Sequence, residues 1–170
     1  MKNLHLITGG QRSGKSRYAQ QLALQKSERP VYLATARIWD EDFKERVNRH
    51  KNDRGENWES IEIPVSISEA GIAGKVVLLD CITLWLTNLF FDFQKLSVDE
   101  ILQMAIKEFD KFILPEADFL VVTNEIGMGG HGENETARKF TDLQGWMNQY
   151  IASKANEVTL MVSGIPVKIK

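Results

Sequence analysis

The sequence predicts an α/β protein with a mostly parallel central sheet flanked by helices, on three observations. Short apolar runs recur along the chain, several without polar alternation; longer segments with helical spacing separate them; and a glycine-rich phosphate-binding pattern joins the first run to the first helix. The predicted strands are Leu4 to Ile7, Val31 to Ala34, Val76 to Leu79, Phe119 to Thr123 and Val158 to Val162. The predicted helices are Lys15 to Gln25, Asp40 to Lys51, Thr83 to Phe93, Val98 to Leu114 and Thr136 to Ala155. Strands that alternate with helices imply parallel pairing, and in open sheets of this kind ligands bind beyond the carboxyl ends of the strands. The residues that follow each apolar run are therefore where chemistry is expected.

Size and charge limit what that chemistry acts on. The 170 residues, 43% hydrophobic and 26% charged, suit one compact domain spanning 1–170, with no repeat or linker to divide it. Lys and Arg number 21 against 23 Asp and Glu, a formal charge of -2, so no global basic field draws the chain to nucleic acid. The most apolar stretch, Cys81 to Phe93, contains Thr83, Thr87, Asn88 and Asp92 and falls short of the ~20 residues a membrane span needs. The opening Met1 to Ile7 is too short an apolar run for a signal peptide and reads as a mature start. With one cysteine, Cys81, no internal disulfide can form, and a reducing, cytoplasmic location is expected.

After the first strand comes Gly9-Gly10-Gln11-Arg12-Ser13-Gly14-Lys15-Ser16, a complete phosphate-loop pattern. Glycines let backbone N–H groups turn inward around phosphate oxygens, Lys15 reaches the β and γ phosphates, and the Ser16 hydroxyl is placed to ligate Mg2+ at a helix start. The third run ends in Leu79-Asp80-Cys81, where Asp80 reads either as the acidic partner that holds Mg2+ or its water, or as a cap of the following helix. Cys81 reads as a small buried filler. The fourth run ends in Thr123-Asn124-Glu125-Ile126-Gly127; Glu125 is a candidate base or hydroxyl-orienting group, or alternatively an N-cap or ion-pair partner. That segment also departs from the Asn-Lys-x-Asp with which regulatory GTPases read guanine. The glycine-rich stretch Gly127 to Gly132 reads as an active-site loop.

Between the second and third runs lies Arg46-Val47-Asn48-Arg49-His50-Lys51-Asn52-Asp53-Arg54. Arg46 and His50 share a helix face, and neighbouring cations disfavour the protonated imidazole, which leaves a neutral, nucleophilic His50 beside groups that attract phosphates. The alternative, favoured by spacing alone, is a solvated basic face interrupted by a surface histidine. His5 reads as a structural side chain, and His131 as a loop residue facing substrate or solvent. Histidine and cysteine spacing gives no zinc site. Trp39, Trp58, Trp85 and Trp146 read as core or interface packing, with nucleotide stacking by any one of them as the alternative. The apolar content of Ile82 to Phe93 exceeds what one helix face needs and suggests an oligomer contact.

Taken together these blocks resemble a known family. The run Ile7 to Arg17, then Tyr32 to Ala36, Arg46 to Lys51 with Arg54, Trp58 and Glu62, Leu79 to Thr83, Thr87 to Leu89, Val122 to Gly129, the separate positions Asn134, Ala137-Arg138, Phe140, Asp142, Gly145 and Asn148-Gln149, and the terminal Val162 to Lys170 are similar, in order, to the bifunctional adenosylcobinamide kinase / adenosylcobinamide-phosphate guanylyltransferase family of cobalamin biosynthesis. The resemblance implies a RecA-like P-loop fold and a homotrimer. It implies phosphorylation of the aminopropanol hydroxyl of adenosylcobinamide by GTP or ATP. It then implies transfer of GMP from GTP, through a histidine, to adenosylcobinamide phosphate. The histidine of the family falls on His50, and its nucleotide contacts on Gly9, Gly10, Gln11, Arg12, Ser13, Gly14, Lys15, Ser16, Ala34, Thr35, Ala36, Lys51, Asn52, Asp53, Arg54, Glu62 and Asp80, with Ser16 and Asp80 at the metal. No role for Glu125 transfers. One block departs: where the family reads Ile-Val-Pro after Gly129, this chain has Gly130-His131-Gly132-Glu133. Two narrower readings share the phosphate loop: a small-molecule kinase with a single activity, and a regulatory P-loop NTPase, neither of which needs His50.

Overall fold

Each predicted strand is apolar on both faces because helices cover both sides of the sheet. The structure, a computed structural model, describes residues 3–38, 45, 55 and 57–170. Its strands are β1 (Asn3–Gly9), β2 (Val31–Ala34), β3 (Glu59–Glu62), β4 (Val76–Asp80), β5 (Asp118–Val122), β6 (Glu157–Val162) and β7 (Ile165–Lys168), in the spatial order β3-β2-β4-β5-β1-β6-β7. Every neighbouring pair is parallel except β6 and β7. One strand, β5, separates β1, which feeds the phosphate loop, from β4, which ends in Asp80. This is the RecA-like order the resemblance implies.

The described helices are α1 (Lys15–Lys26), α2 (Ile82–Asp92), α3 (Val98–Phe112) and α4 (Glu135–Lys154), each within two residues of its predicted bounds. The helix expected at Asp40 to Lys51 falls almost wholly outside the described residues. Side chains along the strands alternate between two cores. Leu4, Leu6, Val31, Leu33, Val77, Leu79, Phe119 and Val121 enter the larger core beneath α2, α3 and α4, while Ile7, Tyr32, Leu78, Leu120 and Val122 enter the smaller one with Ala19 and Ala23 of α1.

Two strands escape the sequence reading. β3 is half-exposed Glu-Ser-Ile-Glu at one edge, and β7 is Ile-Pro-Val-Lys, exposed throughout, at the other. Neither has the two buried faces that mark the other strands, and the proline of β7 suits only an edge. The apolar excess of α2 is mostly spent inside the chain: Ile82, Trp85, Leu86, Leu89 and Phe90 are buried in the larger core, and Phe91 alone among its aromatic residues is exposed. Trp85 donates from Nε1 to Val65 O at 2.7 Å, Trp58 is buried against Tyr32, and Trp146 is exposed on α4. Trp39 lies outside the described residues. No described helix is long and apolar enough to cross a membrane.

Candidate functional site

The phosphate loop is built from backbone more than from side chains. Gly9 ends β1 with φ +151°, and a Cβ there would stand 2.6 Å from Met161 O of the neighbouring β6. Gly14 has φ +95°, in the left-handed region that glycine enters without steric cost. Between them Ser13 N donates to Gly10 O at 3.3 Å. Gly14 is the N-cap of α1, with no side-chain cap and no acid in the first turn, so the first amides of a 12-residue helix are left for an anion.

A support that the sequence reading missed holds the loop from the side. Ser163 and Gly164 take positive φ in the two-residue turn between β6 and β7, and Gly164 N donates to Ser13 O at 3.0 Å. A serine-glycine pair between two apolar segments is a local signal for this hairpin, but nothing in it points to Ser13.

Lys15 is buried under this loop at 7% exposure, and its ammonium donates to Gly10 O at 2.6 Å. Burial holds its pKa below the ordinary lysine value, partly opposed by the Asp80 carboxylate. A desolvated cation among backbone dipoles is primed to exchange a carbonyl for a phosphate oxygen, whose negative charge would favour the protonated form.

The remaining predicted contacts form a row across three strands. Ala34 stands in register with Glu62 on one side and Asp80 on the other, at the carboxyl edge of β2, β3 and β4. Asp80 does not cap α2: Cys81 occupies the N-cap position, and no side chain caps there. Instead Asp80 Oδ2 accepts a hydrogen bond from the Tyr32 hydroxyl at 2.7 Å, and Trp58, edge-on to the Tyr32 ring at 5.8 Å, packs beside it. Thr35 is fully buried; its hydroxyl donates to Cys81 O at 2.7 Å and accepts from Cys81 N at 3.1 Å, fastening the end of β2 to the start of α2. Asn88 of α2 donates to Thr35 O and Pro64 O, both at 2.8 Å. Sequence reasoning gave Tyr32 and Asn88 no role, because their partners lie 24 to 53 residues away.

Cys81 is buried and its thiol is pushed up to about 12, chiefly by burial, so it is a filler and not a nucleophile. His5 is buried in β1 with Nε2 2.8 Å from Thr159 Oγ1, a structural contact as expected. Glu125 follows β5. Its amide donates to Gly9 O at 3.0 Å, and its Oε1 accepts from Gly127 N at 2.9 Å, so it neither caps α4, whose N-cap is Asn134, nor has a described ion-pair partner.

In the departing loop His131 is exposed, and Gly132 lies so close to α4 that a Cβ would stand 2.7 Å from Arg138 N. Glycine is required there by packing. His50, Lys51, Asn52, Asp53 and Arg54 lie outside the described residues.

The donor set suits magnesium. Ser16 and Asp80 offer a hydroxyl and a carboxylate at one edge, all oxygen, and Mg2+ characteristically takes one or two protein oxygens and fills its other positions with water and phosphate. Among the described residues no group of three or more His, Cys, Asp or Glu forms a dedicated metal cage.

Comparison with known proteins reaches the same family by an independent route. Residues 5–169 match the family model described as cobinamide kinase / cobinamide phosphate guanyltransferase. The Bifunctional adenosylcobalamin biosynthesis protein CobU of Escherichia coli (strain K12) is 39% identical, over 97% of this chain and 98% of its own length. The protein of that description named CobP in Pseudomonas aeruginosa is 38% identical over 97% and 96%, and CobU of Salmonella typhimurium 37% over 97% and 98%. Among solved structures, one described as an ATPase domain overlaps 94% of this chain and 69% of its own at 12% identity, with a TM-score of 0.46. With nearly the whole length matched, this chain belongs to the cobinamide kinase / cobinamide phosphate guanyltransferase family.

Proposed function

We propose that this chain, as one domain, carries out both reactions of its family, and that both draw on the phosphate loop. The observation that carries this reading is the convergence, on one sheet edge, of an uncapped helix N-terminus, a buried lysine and the Glu62, Ala34 and Asp80 row. In the first reaction the aminopropanol hydroxyl of adenosylcobinamide attacks the γ-phosphorus of GTP or ATP, and the nucleoside diphosphate leaves. The amides of Gly9 to Ser16 and the Lys15 ammonium hold the phosphates and meet the charge that spreads over their oxygens. Ser16 and Asp80 would hold Mg2+, which when bound would neutralise more of that charge. Tyr32 keeps the Asp80 carboxylate turned to this edge.

In the second reaction a nitrogen of His50 attacks the α-phosphorus of GTP, the α–β bond breaks, and pyrophosphate leaves. The phosphate of adenosylcobinamide phosphate then attacks the same phosphorus, the nitrogen–phosphorus bond breaks, and adenosylcobinamide-GDP is released. Two displacements replace one difficult transfer. Lys51 to Arg54 steady the phosphates beside His50, and Ala34 to Ala36 with Glu62 receive the nucleotide beyond them. The reading includes a homotrimer and a cytoplasmic location.

The test is direct. Protein incubated with Mg2+ and GTP labelled at the α-phosphate should acquire bound label that is acid-labile and alkali-stable, as a phosphoramidate is, and His50→Ala should acquire none. Absent label in the parent would remove the guanylyltransferase half and leave a single-activity kinase, and undiminished label in His50→Ala would remove His50 as the acceptor.

A further inference from the structure

Three uncharged polar side chains are buried where an apolar layer would serve packing better. Thr123 and Gln144 have no exposure and Asn148 9%, and around them on α4 stand Leu143, Met147 and Ile151, all in the larger core. Burying hydroxyls and amides costs desolvation that hydrogen bonds only roughly offset. These three bond to one another: the Thr123 hydroxyl donates to Asn148 Oδ1 at 2.7 Å, and Gln144 Nε2 donates to Thr123 Oγ1 and to Asn148 Oδ1, both at 2.9 Å.

The cluster does not close on itself. Asn148 Nδ2 donates to Asn124 O at 3.1 Å, Asn124 N donates to Thr83 Oγ1 of α2 at 2.9 Å, and Glu125 N donates to Gly9 O at 3.0 Å. The backbone from Thr123 to Glu125 is thereby tied to α4, to α2 and to the first glycine of the phosphate loop. The one charged side chain on that tied segment is Glu125. Its strand, β5, is the immediate neighbour of β1, whereas Asp80 stands one strand further away and already accepts from Tyr32. The amide of Gly127 fixes one oxygen of the Glu125 carboxylate at 2.9 Å.

We propose that Glu125 is the catalytic carboxylate of the kinase half-reaction, and that Thr123, Gln144 and Asn148 are the positioning residues that hold it at the phosphate loop. This rests on the kinase reading above. Glu125 accepts the proton of the attacking alcohol as the new oxygen–phosphorus bond forms and the bond to the leaving diphosphate breaks; the proton is then released to solvent. Guanylyl transfer to a histidine nitrogen has no alcohol to deprotonate, so Glu125 is idle in it. The two activities therefore separate.

The experiment measures both activities on the same preparations of parent, Glu125→Gln, Thr123→Val and Thr123→Ser. Glu125→Gln should lower kcat for phosphorylation of adenosylcobinamide on the order of 100-fold or more, the usual contribution of a general base. Its KM for the nucleotide and its labelling from α-labelled GTP should stay within about twofold. Thr123→Val, which keeps the shape and removes the hydroxyl, should lower the same kcat about 10-fold, a displaced carboxylate being less costly than a missing one. Thr123→Ser, which keeps the hydroxyl, should recover most of it. A Glu125→Gln variant with parental phosphorylation overturns the catalytic assignment. A Thr123→Val variant that loses labelling and phosphorylation alike, or is matched by Thr123→Ser, overturns the positioning role and leaves a purely structural cluster. A parent that is labelled yet phosphorylates nothing overturns the kinase reading itself, and this proposal with it.

Discussion

The phosphate-loop side and the acidic side of the ligand edge are held by different kinds of bond. From Gly9 to Ser16 the shape is set by backbone: positive φ at Gly9 and Gly14, a turn closed by Ser13 N on Gly10 O, and the Gly164 amide against Ser13 O. At Asp80 and Glu125 it is set by side chains from distant segments: Tyr32 on Asp80, Thr35 on Cys81, Asn88 on the end of β2, and the Thr123, Gln144 and Asn148 cluster behind Asn124. A backbone cradle is specified by a few neighbouring residues and tolerates change at its outer positions. A side-chain scaffold depends on the whole fold and fails wherever one buried partner is removed.

The backbone side should break most sharply, and unequally from one glycine to the next. Gly9→Ala places a Cβ 2.6 Å from a main-chain oxygen at φ +151°, and a loss of about 2–3 kcal/mol is expected. Gly10, whose added Cβ would meet nothing within 4 Å, should accept alanine within about 0.5 kcal/mol. Thermal melting of the two variants side by side decides the matter, and equal losses would mean that the loop is not held by β6. On the side-chain side, Asn88→Leu keeps the bulk and leaves Thr35 O and Pro64 O without this donor. A loss of about 2 kcal/mol is expected in denaturant melts, and an unchanged midpoint would show that α2 is held by apolar packing alone.

The smallest effect is one of pH. Burial holds the His5 imidazole below its ordinary value of 6.5, so on acidification the unfolded chain takes up a proton that the folded chain refuses. Stability should therefore fall as pH drops below about 6.5, and level off once the folded value is passed. His5→Gln should show a shallower fall over that window; a parallel curve would place the acid sensitivity elsewhere.

What was legible in the sequence follows the same division. The phosphate loop could be read because its chemistry is local, and β1, β2, β4, β5 and β6 because two buried faces leave an uninterrupted apolar run. Asp80 was legible as a carboxylate after a strand, but not the Tyr32 hydroxyl that aims it from 48 residues away, nor the turn of β6 and β7 that braces Ser13 from 151 residues away. Glu125 was visible as a candidate; the cluster that singles it out assembles only when α4 packs on β5. The edge strands β3 and β7 were missed because exposure removes the pattern that marks the others. The part proposed for His50 rests on the family resemblance, since spacing alone favoured a solvated basic face.

That one phosphate loop serves two reactions is tested most directly by Lys15→Ala, assayed both for phosphorylation of adenosylcobinamide and for protein-bound label from GTP labelled at the α-phosphate. Both activities should fall together, phosphorylation by about 1,000-fold or more as a buried cation is withdrawn from the transferring phosphates. Phosphorylation abolished with labelling intact would contradict the shared loop and require a second phosphate site for guanylyl transfer.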